Sequence, residues 1–351
     1  MRTRRLGRTG FVINEIGYGA WGLGGGYWRG MEPRDAQRAL YHAVERGIDF
    51  LDTALVYGDG TSEQLLGEVV RELRARDRVV VATKVPPASF EWPGDGKKPL
   101  EASFPARHVQ DSVETSLRNL KLEAISLCQL HVWHDAWLQH SSWPELRGTL
   151  ERLVKEGKVL HWGISANDHD PDVAVAVLDE PIMETVQVIY NLFDRGAERA
   201  LFAKARERDA GIIGRVPLDE GSLGGELGAD TRFPPDDWRN EYFGGDRLSQ
   251  LAVRLARLSA FVGTTPRGAR TSDDAKAIVE QVEKSRDEVE AGTLAELALR
   301  FVLSRDEVGV VIPGMRTVDH VERNLAISDG RRLSPALLDK LAEHVWERNW
   351  Y

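Results

Sequence analysis

The chain has 351 residues, of which 42% are hydrophobic and 29% charged, with a formal net charge of −9. That is the composition of a folded globular protein, and it excludes a collagenous, disordered or disulfide-rich chain. The acidic balance, with a pI ≈ 5.6, argues against nucleic acid as a partner, because phosphate binding draws its affinity from clustered Lys and Arg.

The amino terminus, MRTRRLGRTGFVINEIGYG, is basic but lacks the apolar segment a secretory signal requires. No stretch approaches the ~18 apolar residues of a membrane span. The one cysteine, Cys128, cannot form an internal disulfide, which points to a reducing compartment. A cytoplasmic protein with no membrane partner is expected.

Residues 4–6 and 12–15 read as two short strands around a turn at 7–10. Short apolar, β-branched runs follow at 16–20, 48–51, 79–82, 125–130, 159–164, 186–189, 211–216 and 308–312. Amphipathic segments of helical period alternate with them at 34–46, 62–74, 106–120, 143–156, 172–178, 197–208 and 294–303. Two more helices are expected at 318–326 and 335–345. Eight strand–helix units without a Pro/Ser-rich linker predict an α/β fold, a single (β/α)8 barrel spanning 1–351 with an N-terminal hairpin. An open doubly wound sheet fits less well, since no run reads as an edge strand. The connections 86–105 and 218–246 are long and lie on the face where such barrels carry their sites. Segment 247–290 has further helical periodicity and is expected to pack outside the barrel.

Side chains just past the C-terminal ends of barrel strands converge, so they are read as a group. IDFLDTALVYGDG brings Asp52 and then Tyr57, RVVVATK brings Lys84, and ISLCQLH brings His131. An acid, a phenol, an ammonium and an imidazole suit proton transfer to a carbonyl oxygen. A phenol of pKa ≈ 10 is a poor catalyst at neutral pH, and the Lys84 cation is expected to pull that pKa down. Asp52 would hold Lys84 by a charge-assisted hydrogen bond, and His131 would donate to the substrate oxygen.

DTALVYGDGTSEQLLGE, ATK, HWGISAND, ETVQVIYNLFD, GIIGRVPLDEGSLGG and VIPGMRTVDHVERNLA occur in this order. Together they resemble the aldo-keto reductase family over nearly the full length. The resemblance implies a (β/α)8 barrel that binds an extended nicotinamide cofactor without a Rossmann domain and reduces a small-molecule carbonyl compound. It makes Tyr57 the general acid, Lys84 and Asp52 its tuning partners and His131 the carbonyl-orienting group. For the cofactor it implies Ser165, Asn167 and Gln187 at the carboxamide, with Gly19, Ala20, Trp21 and Asp52 nearby. Leu218, Gly221, Ser222 and Leu223 would form the loop over the pyrophosphate, with Arg215, Val216 and Pro217 also at the cofactor. Gly314, Met315 and Arg316, with His320, Arg323 and Asn324, would meet the adenosine phosphate. Arg215 stands where the family commonly has a stacking aromatic. Ala166 precedes the Asn that usually follows the Ser directly, and His320 and Arg323 also depart from the common pattern. The positive charge of Arg316 and Arg323 favours NADPH, with NADH also possible. A cofactor-sensing subunit similar to potassium-channel β subunits is the alternative reading.

Gly17, Gly19 and Gly22 spell G-x-G-x-x-G, but the following GLGGGYWRG is too Gly-rich to open the helix a dinucleotide fingerprint needs. His131, His134 and Asp135 offer no metal set at strand spacing. Trp21, Trp28, Trp92, Trp133 and Trp137 fall in strand-end loops, where they either wall an apolar substrate pocket or pack between loops.

Overall fold

The computed structural model describes residues 1–25, 33–284 and 289–348. Strands β1 (Thr3–Arg5) and β2 (Val12–Asn14) form an antiparallel hairpin. The chain then enters β3 (Tyr18–Gly19), α1 (Pro33–Glu45), β4 (Phe50–Asp52), α2 (Thr61–Glu72) and β5 (Val80–Val85). A short α3 (Leu100–Ser103) lies within the long connection that follows, before α4 (Ala106–Leu120). Next come β6 (Ile125–Leu130), α5 (Trp143–Lys155), β7 (Val159–Ser165), β8 (Met183–Ile189), α6 (Leu201–Arg208) and β9 (Gly211–Arg215). After β9 come α7 (Arg239–Tyr242), α8 (Arg247–Leu258), α9 (Asp273–Lys284), α10 (Leu294–Leu303), β10 (Val308–Val311), α11 (Val318–Ala326) and α12 (Pro335–Leu341).

Strands β3 to β10 are parallel and neighbour one another in chain order. Parallel bridges Ile16↔Val311 and Gly19↔Gly314 close the sheet on itself. The main-chain N–H of Gly17 donates to Val311 O at 2.8 Å, and that of Gly19 to Pro313 O at 3.2 Å. This closure is what the glycines serve: a Cβ at Gly19 would lie 2.6 Å from Ile312 O. Gly17 and Gly19 of the G-x-G-x-x-G string therefore form a barrel seam, and Gly22 lies in the 3-10 turn Trp21–Gly24.

Alternate residues of a strand face opposite sides, and the barrel interior sorts into two layers. Phe50, Ala82, Leu127, Ile213 and Val310 form the lower, apolar one, sealed from below by Leu6 and Ile13 of the hairpin. Two residues further along, the inward positions turn polar: Asp52, Lys84, Gln129, Ser165, Gln187 and Arg215. The outer faces of the strands pack on the helices in one continuous core.

Two expected features differ. The helix expected at 172–178 is replaced by 3-10 turns, Pro171–Ala174 and Ala176–Asp179. The Asp135 carboxylate accepts from the N–H groups of Val175, Ala176 and Val177 at 2.9, 2.6 and 3.0 Å, so a side chain takes the donors that a helix would have used. The strand expected at 16–20 shortens to Tyr18–Gly19 because its start contributes only the closing bridge at Ile16. As expected, 247–290 supplies helices α8 and α9, and these pack on each other. No helix among the described residues is long and apolar enough to cross a membrane.

Candidate active site

The upper, polar layer of the barrel brings together the expected acid–base residues. The side chain of Lys84 is fully buried. Its ammonium donates to Asp52 Oδ1 at 2.6 Å and to the Thr53 carbonyl at 2.7 Å, and it reaches the Tyr57 hydroxyl at 3.5 Å. All three donors of an ammonium are thus directed. From the far side of the barrel Gln187 Nε2 donates to Asp52 Oδ2 at 2.7 Å and to Gln129 Oε1 at 3.4 Å.

Tyr57 is held through its loop. Its N–H donates to Ala54 O at 3.0 Å, and its carbonyl accepts from Ser62 N at 3.2 Å. Ser62 Oγ in turn donates to Ala20 O at 3.1 Å and bonds Thr53 Oγ1 at 2.8 Å. Gly58, at φ +63, lets the turn Trp21–Gly24 pack directly on this loop: a Cβ there would lie 2.4 Å from Gly24 O. The His131 ring stands edge-on to Tyr57 and to Trp92, each at a centroid distance of 5.8 Å.

Burial raises the Tyr57 pKa above the usual phenol value, and the Lys84 and Arg215 cations only partly oppose it. The net downward shift expected from Lys84 is thus reversed by desolvation, and at neutral pH the side chain is a phenol carrying its proton. Burial disfavours charge on Lys84 too, but Asp52 and Tyr57 together outweigh it and hold the ammonium pKa above its ordinary value. His131 lies well below the usual imidazole range, first through burial and then through Lys84 and Arg215, so it is uncharged.

Ser165, at the end of β7, is registered opposite Gln187 of β8, and both are buried. Arg215 ends β9 and donates through Nη2 to Ala166 O at 3.1 Å and to the Asp168 carboxylate. Three buried nitrogens of this layer, Gln129 Nε2, His131 Nδ1 and Arg215 Nε, have no protein hydrogen-bond partner. Unmet buried polar atoms are uncommon in proteins, and these three gather at the polar end of the barrel.

A model described as the Aldo/keto reductase family matches residues 15–345. The chain belongs to this family. It is 31% identical over 327 residues to a probable aldo-keto reductase 1 of Glycine max, covering 92% of this chain and 82% of that protein. It is also 24% identical over 361 residues to a probable voltage-gated potassium channel subunit beta of Arabidopsis thaliana, covering 98% and 97%. The structure of an aldo-keto reductase from Klebsiella pneumoniae in complex with NADPH superposes with a TM-score of 0.63 at 24% identity, covering 100% of this chain and 97% of that one.

In this aldo-keto reductase family member the other expected site residues divide into four groups. Gly19 and Gly314 meet across the barrel seam, Ala20 N donates to Asp52 O at 2.9 Å, and Trp21 stands edge-on to Trp238 at 6.3 Å. The segment Arg215, Val216, Pro217, Leu218 leads into a 3-10 turn, Asp219–Gly224, which contains Gly221, Ser222 and Leu223. Asn167 instead clamps the connection after β5, donating to Gly94 O at 2.9 Å and accepting from Gly94 N at 3.0 Å.

Beyond β10, Met315 is buried and its carbonyl accepts from Tyr18 OH at 2.8 Å. The N–H of Arg316 donates to His320 Nδ1 at 3.4 Å. Arg323 is exposed and pairs with Asp319 on its own helix at 2.8 Å, while Asn324 is buried. The Arg316 guanidinium lies in the field of Arg239, whose own ion pair with Asp237 is buried, at 2.6 Å. Arg239, which opens the short helix α7, and Arg348, near the end of the described chain, belong to no quoted motif, and Asp219 lies within GIIGRVPLDEGSLGG without its spacing revealing its partners.

His134 and Asp135 are engaged elsewhere: His134 Nδ1 accepts from Ala136 N at 3.1 Å, and Asp135 holds the turns after β7. Among the described residues no group of three or more His, Cys, Asp or Glu is placed to hold a metal. Trp133 and Trp137 are buried and pack edge-on at 5.6 Å. Trp92 stays at the mouth, 43% exposed. Trp28 lies outside the described residues.

Proposed function

We propose that this family member reduces an aldehyde or ketone to an alcohol with NADPH. The carrying observation is the buried Lys84 ammonium, bonded to Asp52 and reaching the Tyr57 hydroxyl at 3.5 Å beside the His131 ring. When bound, the dihydronicotinamide supplies a hydride from C4 to the carbonyl carbon.

Tyr57, kept protonated by burial, gives its proton to the carbonyl oxygen as charge develops there. Lys84 stabilises the phenolate left behind, and Asp52 with Gln187 keeps that ammonium in place. His131, uncharged, retains an N–H to donate to the same oxygen. Ser165 and Gln187 supply polar groups for the carboxamide, and Arg215 offers a planar cation beside the ring. The backbone around Gly221 to Leu223 would hold the pyrophosphate. Arg316, Arg239 and the N-terminus of α11 offer positive charge to an adenosine 2′-phosphate, so NADPH binds more tightly than NADH.

The likeness to a channel subunit favours a second reading, in which the same site reports cofactor redox state to a partner. Fluorescence titration with NADPH and NADH, followed by turnover on a panel of aldehydes and ketones, separates the two. The main reading predicts quenching by NADPH, turnover, and its loss by ~10²–10⁴-fold in Tyr57→Phe with binding retained. Binding without turnover on any carbonyl compound would favour the subunit, and quenching by neither cofactor would refute both.

A further inference from the structure

We propose that Arg348 and Tyr242 are positioning residues for the cofactor: they grip Asp219 and so hold the loop Asp219–Gly224 in the shape that receives the pyrophosphate. The inference rests on the proposed NADPH function and assigns a role to chain that lies far from it in sequence.

The loop is strained. Asp219, Glu220 and Gly221 are consecutive left-handed residues, at φ 47, 53 and 93, and Val216 just before them is at φ 53. Non-glycine residues adopt that region at a cost, and a β-branched valine most of all. Such backbone persists only where its surroundings over-determine it.

Asp219 is where they do so. Its carboxylate is fully buried and accepts four hydrogen bonds. Ser222 Oγ donates at 2.7 Å and Tyr242 OH at 2.8 Å. Arg348 adds a bidentate pair, at 3.1 Å from Nη1 and 2.6 Å from Nη2. The Arg348 side chain is itself only 3% exposed. Its guanidinium lies over the rings of Tyr242 and Trp346, 5.2 and 4.4 Å from their centroids. Trp346 is anchored in turn, its N–H donating to Phe193 O at 2.9 Å and its ring edge-on to Phe193 at 5.5 Å. The tail is thus fixed to the connection after β8, and through Arg348 it fixes the loop after β9.

Charge gives the same pair a second use. Burial opposes ionisation of Asp219, but Arg348 holds its pKa below the usual carboxylate value. Without that guanidinium, a buried carboxylate would stand uncompensated beside a bound diphosphate.

The test compares wild type with Arg348→Met, Arg348→Lys and Tyr242→Phe, and with Leu341→Ala, a buried residue of α12 remote from Asp219 in sequence, as a control for general destabilisation. Cofactor dissociation is followed by stopped-flow fluorescence with NADPH, and amide exchange over residues 217–225 in the cofactor-free protein. Arg348→Met is expected to release NADPH at least tenfold faster and to raise exchange in this loop at least tenfold. Arg348→Lys should fall between it and wild type, and Tyr242→Phe should show a two- to fivefold effect. Substrate KM should stay within twofold throughout, and Leu341→Ala should lower Tm without changing NADPH release. If Arg348→Met does not fold, the Lys and Phe variants decide. Release and exchange within twofold of wild type in the folded variants, whatever their Tm, would overturn the positioning role while leaving the proposed function intact. Failure of the wild type itself to bind NADPH would overturn both.

Discussion

The Lys84 ammonium is 2.6 Å from Asp52 Oδ1 but 3.5 Å from the Tyr57 hydroxyl. Its firm bonds are to the carboxylate and to the Thr53 carbonyl, and its influence on the phenol is chiefly that of a nearby charge. Under the proposed function, stability and catalysis would depend on Lys84 through different partners, and substitutions can separate them.

Lys84→Met should destabilise the fold by ~3–5 kcal/mol, because it leaves a buried carboxylate with only neutral donors. The double variant Asp52→Asn, Lys84→Met should recover most of that loss in a denaturant melt. Its turnover should remain at least a hundredfold below wild type. Recovery of both together would show that the lysine acts on structure alone.

The pH profile follows from two opposite shifts. Burial holds Tyr57 above the ordinary phenol value and His131 well below the ordinary imidazole value. Carbonyl reduction should therefore run level through neutral pH and fall only on the alkaline side, where the phenol ionises. Alcohol oxidation, which needs a proton acceptor, should climb over that same alkaline range. A steep loss of reduction between pH 6 and 7 would contradict an uncharged His131.

Glu220 gives a stability signature. Burial, reinforced by Asp219 and Asp168, pushes its pKa up to about 8. Between the ordinary value of 4.5 and about 8 the folded protein holds a proton that the unfolded chain has released. Its contribution is fully present below 4.5 and is lost as pH rises through 8. Glu220→Gln should flatten this dependence and melt higher than wild type at pH 9. Parallel Tm curves for the two proteins from pH 5 to 9 would refute the shift.

Two glycines should respond oppositely to alanine. Gly58→Ala places a methyl 2.4 Å from Gly24 O at a left-handed φ, so it should lower Tm and, by displacing Tyr57, reduce kcat at least tenfold. Gly148, exposed in the middle of α5 with no atom near its missing Cβ, should tolerate the same change and gain about 1 kcal/mol from helix propensity. Thermal melts and steady-state rates on both variants check the contrast.

The barrel was legible because its strands are short, β-branched and buried on both faces, and because helical periodicity fills the gaps between them. Asp52, Lys84 and His131 could be placed from strand ends alone. The direction of the Tyr57 shift could not, since a neighbouring cation is visible in a string of residues while the burial opposing it belongs to the folded state. The turns after β7 escaped for a similar reason: Asp135, some forty positions earlier, takes their N–H groups. Arg348 is 129 residues from Asp219, and no periodicity or spacing links them.

Leu6 and Ile13 of the hairpin stopper the lower end of the barrel beneath its apolar layer, so the polar layer faces the opposite end. Under the proposed function, cofactor and carbonyl compound would both enter from that end, and a nicotinamide held by Ser165 and Gln187 would lie beneath the carbonyl compound. Traffic under that reading would be last in, first out, the alcohol departing before the spent dinucleotide.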